Sequence, residues 1–131
     1  MTNANPDLKY RFFWLLVGYA LVVLVVYLSL TSKPIDLYMG FKNQDKVYHA
    51  FAYFTLMSWF SQIYHRNVQR AQMVVAFVFL GILLEFLQGL TPNRDPDIAD
   101  AMADTAGVLL GYVLTRWSLR NILVKFESLV S

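Results

Sequence analysis

The chain has 131 residues and a formal charge of +2; 57% of the residues are hydrophobic, 16% are aromatic and none is cysteine. That apolar share exceeds the roughly 45–50% of an ordinary soluble domain, and a chain this short could not bury the excess, so lipid is the expected solvent. The small charge, with no basic patch interleaved with aromatics, argues against nucleic acid; the missing cysteine excludes a disulfide framework, a thiolate metal site and a cysteine nucleophile.

The first apolar run, FFWLLVGYALVVLVVYLSL, is uncharged over residues 12–30, close to the ~20 residues needed to cross a ~30 Å hydrocarbon core. Lys9 and Arg11 precede it as they would a signal peptide. The run is longer than the usual 7–15-residue apolar region and no small-residue cleavage site follows, so an uncleaved anchor is expected. A polar connection with Pro34 and Gly40 leads to a second helix over 47–64. The basic turn HRNVQR precedes a third over 71–90, closed by Gly89 and Pro92. The fourth, over 99–117, is the least apolar because Asp100 and Asp104 lie in its first turns. In the tail, Leu119, Ile122, Leu123, Phe126 and Val130 recur at helical spacing beside Arg120 and Lys125. That pattern fits an amphipathic helix on the membrane surface, or an extension of the fourth helix. The expected fold is an all-α integral membrane four-helix bundle with a short amphipathic C-terminal helix, one domain over residues 1–131. No repeat or low-complexity segment divides it.

Lysine and arginine set the orientation, because cytoplasmic loops hold the excess. Lys9, Arg11, Arg66, Arg70, Arg116, Arg120 and Lys125 fall on one side; Lys33, Lys42, Lys46 and Arg94 fall on the other. The bias puts both termini in the cytoplasm of a bacterial inner or plasma membrane and turns the loops 31–46 and 91–99 outward.

Ionisable groups within spans carry an insertion penalty of about 2.5–3.5 kcal/mol each at the helix centre, so they face the protein interior and have a role. Asp45, His49 and Tyr53 recur every four residues on the second helix, with Lys46 beside them. Glu85 and Gln88 share a face in the last two turns of the third. Arg94 precedes Asp97, Asp100, Asp104, Gly107 and Gly111, which share one face of the fourth. Ala103, Gly107 and Gly111 form a small-residue series that permits close helix approach and places the fourth helix at the bundle centre. The spacing therefore brings the ionisable groups to one depth, in one polar pocket near the outer leaflet. Each has a plainer reading: His49 as a satisfied helix–helix histidine, Asp100 and Asp104 as first-turn carboxylates, Lys46 as a snorkelling side chain. Glu85 is harder to explain so, because a lone carboxylate inside an apolar helix needs a partner or a proton.

DKVYHAFAY opening the second helix, EFLQ closing the third, Arg94, and DIADAMADTAGVLLG entering the fourth resemble the VanZ-like family of small membrane proteins. The family pattern maps onto Asp45, Lys46, His49, Tyr53, Glu85, Gln88, Arg94, Asp100, Asp104 and Gly107; Asp104 stands where asparagine is more usual. The resemblance covers about residues 10–117 and implies a polytopic membrane protein similar to the accessory protein of teicoplanin resistance. It supplies no reaction.

Three functions compete. In the first, the pocket binds or modifies an anionic envelope lipid or a phosphorylated cell-wall precursor. Asp45, Lys46, Tyr53, Gln88 and Arg94 contact the substrate, His49 and Glu85 serve as acid/base groups, and Asp100 with Asp104 offers oxygen ligands to a divalent cation. No H-E-x-x-H, Gly-rich phosphate loop or G-x-S-x-G supports catalysis. In the second, the protein is non-catalytic and the cluster serves packing or partner binding. An ion pathway is the third and weakest, because the ionisable residues stop in the outer half.

Overall fold

The computed structural model describes residues 9–30, 44–64, 66–90, 98–116 and 122–130, which hold five helices and no strand. They are α1 (Arg11–Leu30), α2 (Gln44–Ile63), α3 (Asn67–Gln88), α4 (Ile98–Arg116) and α5 (Ile122–Val130). Of these, α1, α3 and α4 are long and apolar enough to cross a membrane. The second expected span, α2, matches them in length at 20 residues. It falls short in apolar character because Lys46, His49, Gln62 and three serine or threonine hydroxyls interrupt it.

Pairwise contacts give the direction of each helix. Gly18 of α1 lies against Phe60 of α2, and the Trp14 main-chain carbonyl accepts from the Trp59 indole at 2.9 Å; these contacts set the N-terminal half of α1 beside the C-terminal end of α2, so the two run antiparallel. Gly107 meets Ala50 and Gly111 meets Phe54, so α4 runs parallel to α2. Gly81 of α3 faces Asp104, and the Gln88 amide donates to the Ser29 carbonyl at 2.8 Å, so α3 runs with α1 and against α4. The order is up, down, up, down, the alternation expected of four consecutive crossings.

The centre of the bundle is α2, not α4 as the small-residue series implies. It packs on every other helix, and Tyr53, Leu56, Met57, Phe60, Ser61, Gln62 and Ile63 are all buried. Its second half is enclosed by protein, while Val47 and Phe51 in the first half are exposed; the enclosed part needs no apolar stripe and can carry polar groups that a lipid-facing helix could not. The most apolar helix, α1, is the least buried; Tyr10 and Tyr27 are exposed near its two ends, where interfacial aromatics belong.

The glycines act as expected, by letting α4 onto α2. A Cβ at Gly107 would run into the Ala50 carbonyl oxygen and lie 3.0 Å from its Cα; one at Gly111 would lie 3.0 Å from the Phe54 oxygen. The Ser58 and Ser61 hydroxyls of α2 are buried and have no hydrogen-bond partner among the described residues. Ser58 Oγ stands 3.1 Å from the Gly111 Cβ position, so it faces the glycine Cα, a weak C–H···O contact at most.

The end of the bundle holding the N-terminus of α1 is closed by polar caps. Arg70, placed by its sequence in a basic turn, is helical and 4% exposed. Its guanidinium donates to the Ser61 carbonyl at 2.8 Å and the Tyr64 carbonyl at 3.3 Å, satisfying the C-terminal end of α2. The Gln62 side-chain oxygen accepts from Leu123 N at 3.3 Å, at the start of α5. Glu127 of α5 accepts from Lys9 N at 2.7 Å, Tyr10 N at 2.9 Å and the Trp14 indole at 2.6 Å, which puts a carboxylate at the positive end of α1. The tail is thus a separate helix pinned to the bundle rather than an extension of α4. Its inward face is Leu123 and Glu127, while Ile122, Phe126, Leu129 and Val130 remain exposed. Leu119, the first member of the expected stripe, lies outside the described residues.

Two predictions follow from this packing. Gly107→Ala should lower the thermal midpoint in detergent more than Gly18→Ala. The first methyl meets backbone, whereas the second meets side-chain atoms, Phe60 at 2.8 Å and Trp59 at 3.0 Å, which can give without separating the helices; overpacking of this kind amounts to about 1–3 kcal/mol. An equal or reversed ranking contradicts the close α2–α4 approach.

The second concerns acid. Burial pushes the Glu127 carboxyl up, but the two backbone N–H groups, the Trp14 indole and the Lys9 charge outweigh it, so its pKa is lowered from the ordinary 4.5. The stabilisation is therefore present above that value and is lost as pH falls below it, through the lower folded value. Tryptophan emission should shift in that acid range for the parent protein and show no such step for Glu127→Gln.

Candidate functional site

At the opposite end, three helices converge on a set of ionisable side chains. Lys46 and His49 stand one turn apart on α2, and Asp100 and Asp104 one turn apart on α4, so parallel helices in close register present them as two rungs. Lys46 Nζ donates to Asp100 Oδ1 at 3.1 Å. His49 Nδ1 lies 2.8 Å from Asp104 Oδ1, and its Nε2 lies 3.7 Å from Asp100 Oδ2. The imidazole is bracketed by carboxylates: protonated, it donates Nδ1–H to Asp104 and pairs by charge with Asp100; neutral, one of its ring nitrogens is free of a proton.

Exposure falls along this ladder, with side chains 28% exposed at Lys46, 21% at His49, 12% at Asp100 and 3% at Asp104. Lys46 is therefore the rim and Asp104 the floor. The floor has room because of Gly81 on α3, where a Cβ would stand 3.0 Å from Asp104 Oδ2. Glu85, one turn further along α3, is 6% exposed and brings a third carboxylate to the same end.

The structure joins Lys46, His49, Asp100 and Asp104 in direct contacts, with Glu85 on the adjoining wall. Tyr53 lies deeper, 2% exposed within the apolar core that α2 shares with α3 and α4. Gln88 turns to α1, donating to Ser29 in that helix's last turn. Asp45 lies in α2, but its side chain, like Arg94 and Asp97, is outside the described residues. Asp100 and Asp104 each engage a basic partner, and among the described residues no three His, Asp or Glu side chains form a metal-binding group.

Sequence reasoning missed Gly81 and Ala50. Gly81, Glu85 and Gln88 share one helical face by spacing, so the glycine was available as a sign of close approach. Ala50 could not be singled out, since its role is to present a carbonyl to Gly107.

A family model described as VanZ/LLP1 matches residues 12–121, the region that holds every one of these side chains. No curated protein and no solved structure matches the chain.

Removing His49 leaves a buried carboxylate without its partner, an effect on the order of 3–5 kcal/mol. His49→Ala should therefore destabilise strongly, while His49→Gln, which can still donate to Asp104, should destabilise much less. The double variant His49→Ala/Asp104→Asn should be more stable than His49→Ala alone. Strictly additive losses in chemical or thermal unfolding would show that the 2.8 Å contact carries no coupling.

Proposed function

This chain belongs to the VanZ/LLP1 family, and on that premise we propose that it binds an anionic envelope lipid or a lipid-linked cell-wall intermediate at the outer leaflet. The Lys46 end of the bundle receives the headgroup. The observation that carries this reading is the gradient in the cluster: a partly exposed lysine at the rim leads to a histidine held between two carboxylates below it.

Lys46 holds the phosphate as a point charge, and Arg94, which lies outside the described residues, is the sequence's candidate for a fork. The described side chains include one lysine against the carboxylates of Glu85, Asp100 and Asp104, a surplus that disfavours a bare phosphate. It suits a headgroup that also offers hydroxyl donors, such as a glycerol or a sugar. His49 and Glu85 are the acid/base pair for any step on that headgroup; His49 is the better placed, since Asp104 fixes its ring. The outward orientation rests on the distribution of lysine and arginine.

A second reading is supported by the pairing itself. Lys46–Asp100 and His49–Asp104 satisfy each other, as a purely structural network would. Vesicles separate the two. With the protein reconstituted in phosphatidylcholine doped with phosphatidylglycerol or a polyprenyl phosphate, Lys46→Met should lose selectivity for the anionic lipid. His49→Gln and Glu85→Gln should keep selectivity and lose any conversion of the headgroup. Unchanged selectivity in Lys46→Met, with lower stability in all three, supports the structural network instead. Cysteines placed at Lys42 and Asp95 should react with an impermeant thiol reagent in intact cells; labelling only after lysis reverses the orientation.

A further inference from the structure

A groove of about 670 Å³ runs between α3 and α4 on the outside of the bundle. Ile82 and Phe86 form its α3 wall, and Ile98, Met102 and Leu109 its α4 wall. Ile98, Met102 and Phe86 are 80%, 67% and 63% exposed, so in a bilayer they stand in lipid. Thr105 in the floor spends its hydroxyl on the Ala101 carbonyl at 3.0 Å. Glu85 is then the one ionisable group along the groove, and it also belongs to the wall of the polar cluster.

We infer that this groove takes a single hydrocarbon chain of a lipid whose headgroup sits at the cluster, the lipid entering sideways from the same leaflet. Three observations fix the occupant. The groove is lined by apolar side chains on two helices that are long and apolar enough to cross a membrane. From Ile98 to Leu109 it follows α4 for about 16 Å at ~1.5 Å per residue, the depth of one leaflet in a ~30 Å hydrocarbon core. Glu85 lies in its α3 wall between Ile82 and Phe86, 6% exposed, so the groove borders the polar cluster through this side chain. A groove lined by apolar residues alone would hold any annular chain; this one adjoins a polar site.

The headgroup's identity rests on the reading given above, but occupancy of the groove does not. The test uses vesicles of phosphatidylcholine containing phosphatidylglycerol with a diazirine at mid-chain, irradiated with the full-length protein, and the labelled peptides mapped. The label should concentrate on residues 98–109 and fall away in Ala106→Trp, which fills the floor from an exposed position. Val23→Trp, on the lipid-facing side of α1, should leave it in place. Label spread evenly over α1, α3 and α4, unchanged by Ala106→Trp, overturns the inference. So does a result in which Ala106→Trp dissolves a dimer without moving the label, since the groove would then be an interface between copies. If a diazirine-bearing phosphatidylcholine labels the groove as well as phosphatidylglycerol does, the groove stands and the anionic headgroup reading fails. If selectivity persists without groove labelling, the reverse holds.

Discussion

The close approach of α2 and α4 is the contact on which the remaining architecture depends. Of the four long helices, α2 is the least suited to lipid, because it carries a lysine, a histidine and buried hydroxyls. It is tolerated by being surrounded, and the surround is completed by α4 only because Gly107 and Gly111 let its backbone rest on the Ala50 and Phe54 carbonyls. Without a strong hydrophobic force between helices in lipid, such van der Waals contact is a main source of association. The same register sets Lys46 opposite Asp100 and His49 opposite Asp104. The contact that shields α2 is therefore also the one that builds the polar cluster.

The two ends of the bundle use polar groups differently. At the end holding Arg70, Gln62 and Glu127, each side chain satisfies a helix terminus, and the groups are spent on main-chain atoms. At the other end the charged side chains answer one another, and the rim remains partly open. Capping groups that meet backbone have fixed geometry and little left to offer a ligand. Side chains paired with side chains can exchange partners, which is why the second end, not the first, is read as a binding site.

The number and placing of the long helices, three of them long and apolar enough to cross a membrane, and the gathering of His49, Glu85, Asp100 and Asp104 at one end were legible because they rest on periodicity and apolar length. The match to the VanZ/LLP1 model bears out the family resemblance carried by the dispersed motifs. A glycine series marks a close contact but does not say which partner is enclosed, so the sequence points to α4 as the centre where the structure has α2. Nothing local announces that Arg70, in a basic run, caps the helix before it. Glu127 could not be seen at all, since its partners lie 113 to 118 residues away. Gln88 has the right spacing for the cluster yet reaches α1, a choice made by which carbonyl lies within range.

The central claim is that the Lys46 end holds a lipid headgroup, and locating the phosphorus answers it most directly. An experimental structure in nanodiscs containing phosphatidylglycerol should place a phosphate within salt-bridge distance of Lys46 Nζ, with Lys46 turned at least partly away from Asp100. Phosphates distributed evenly around the bundle, with the Lys46–Asp100 and His49–Asp104 pairs both closed, would contradict it.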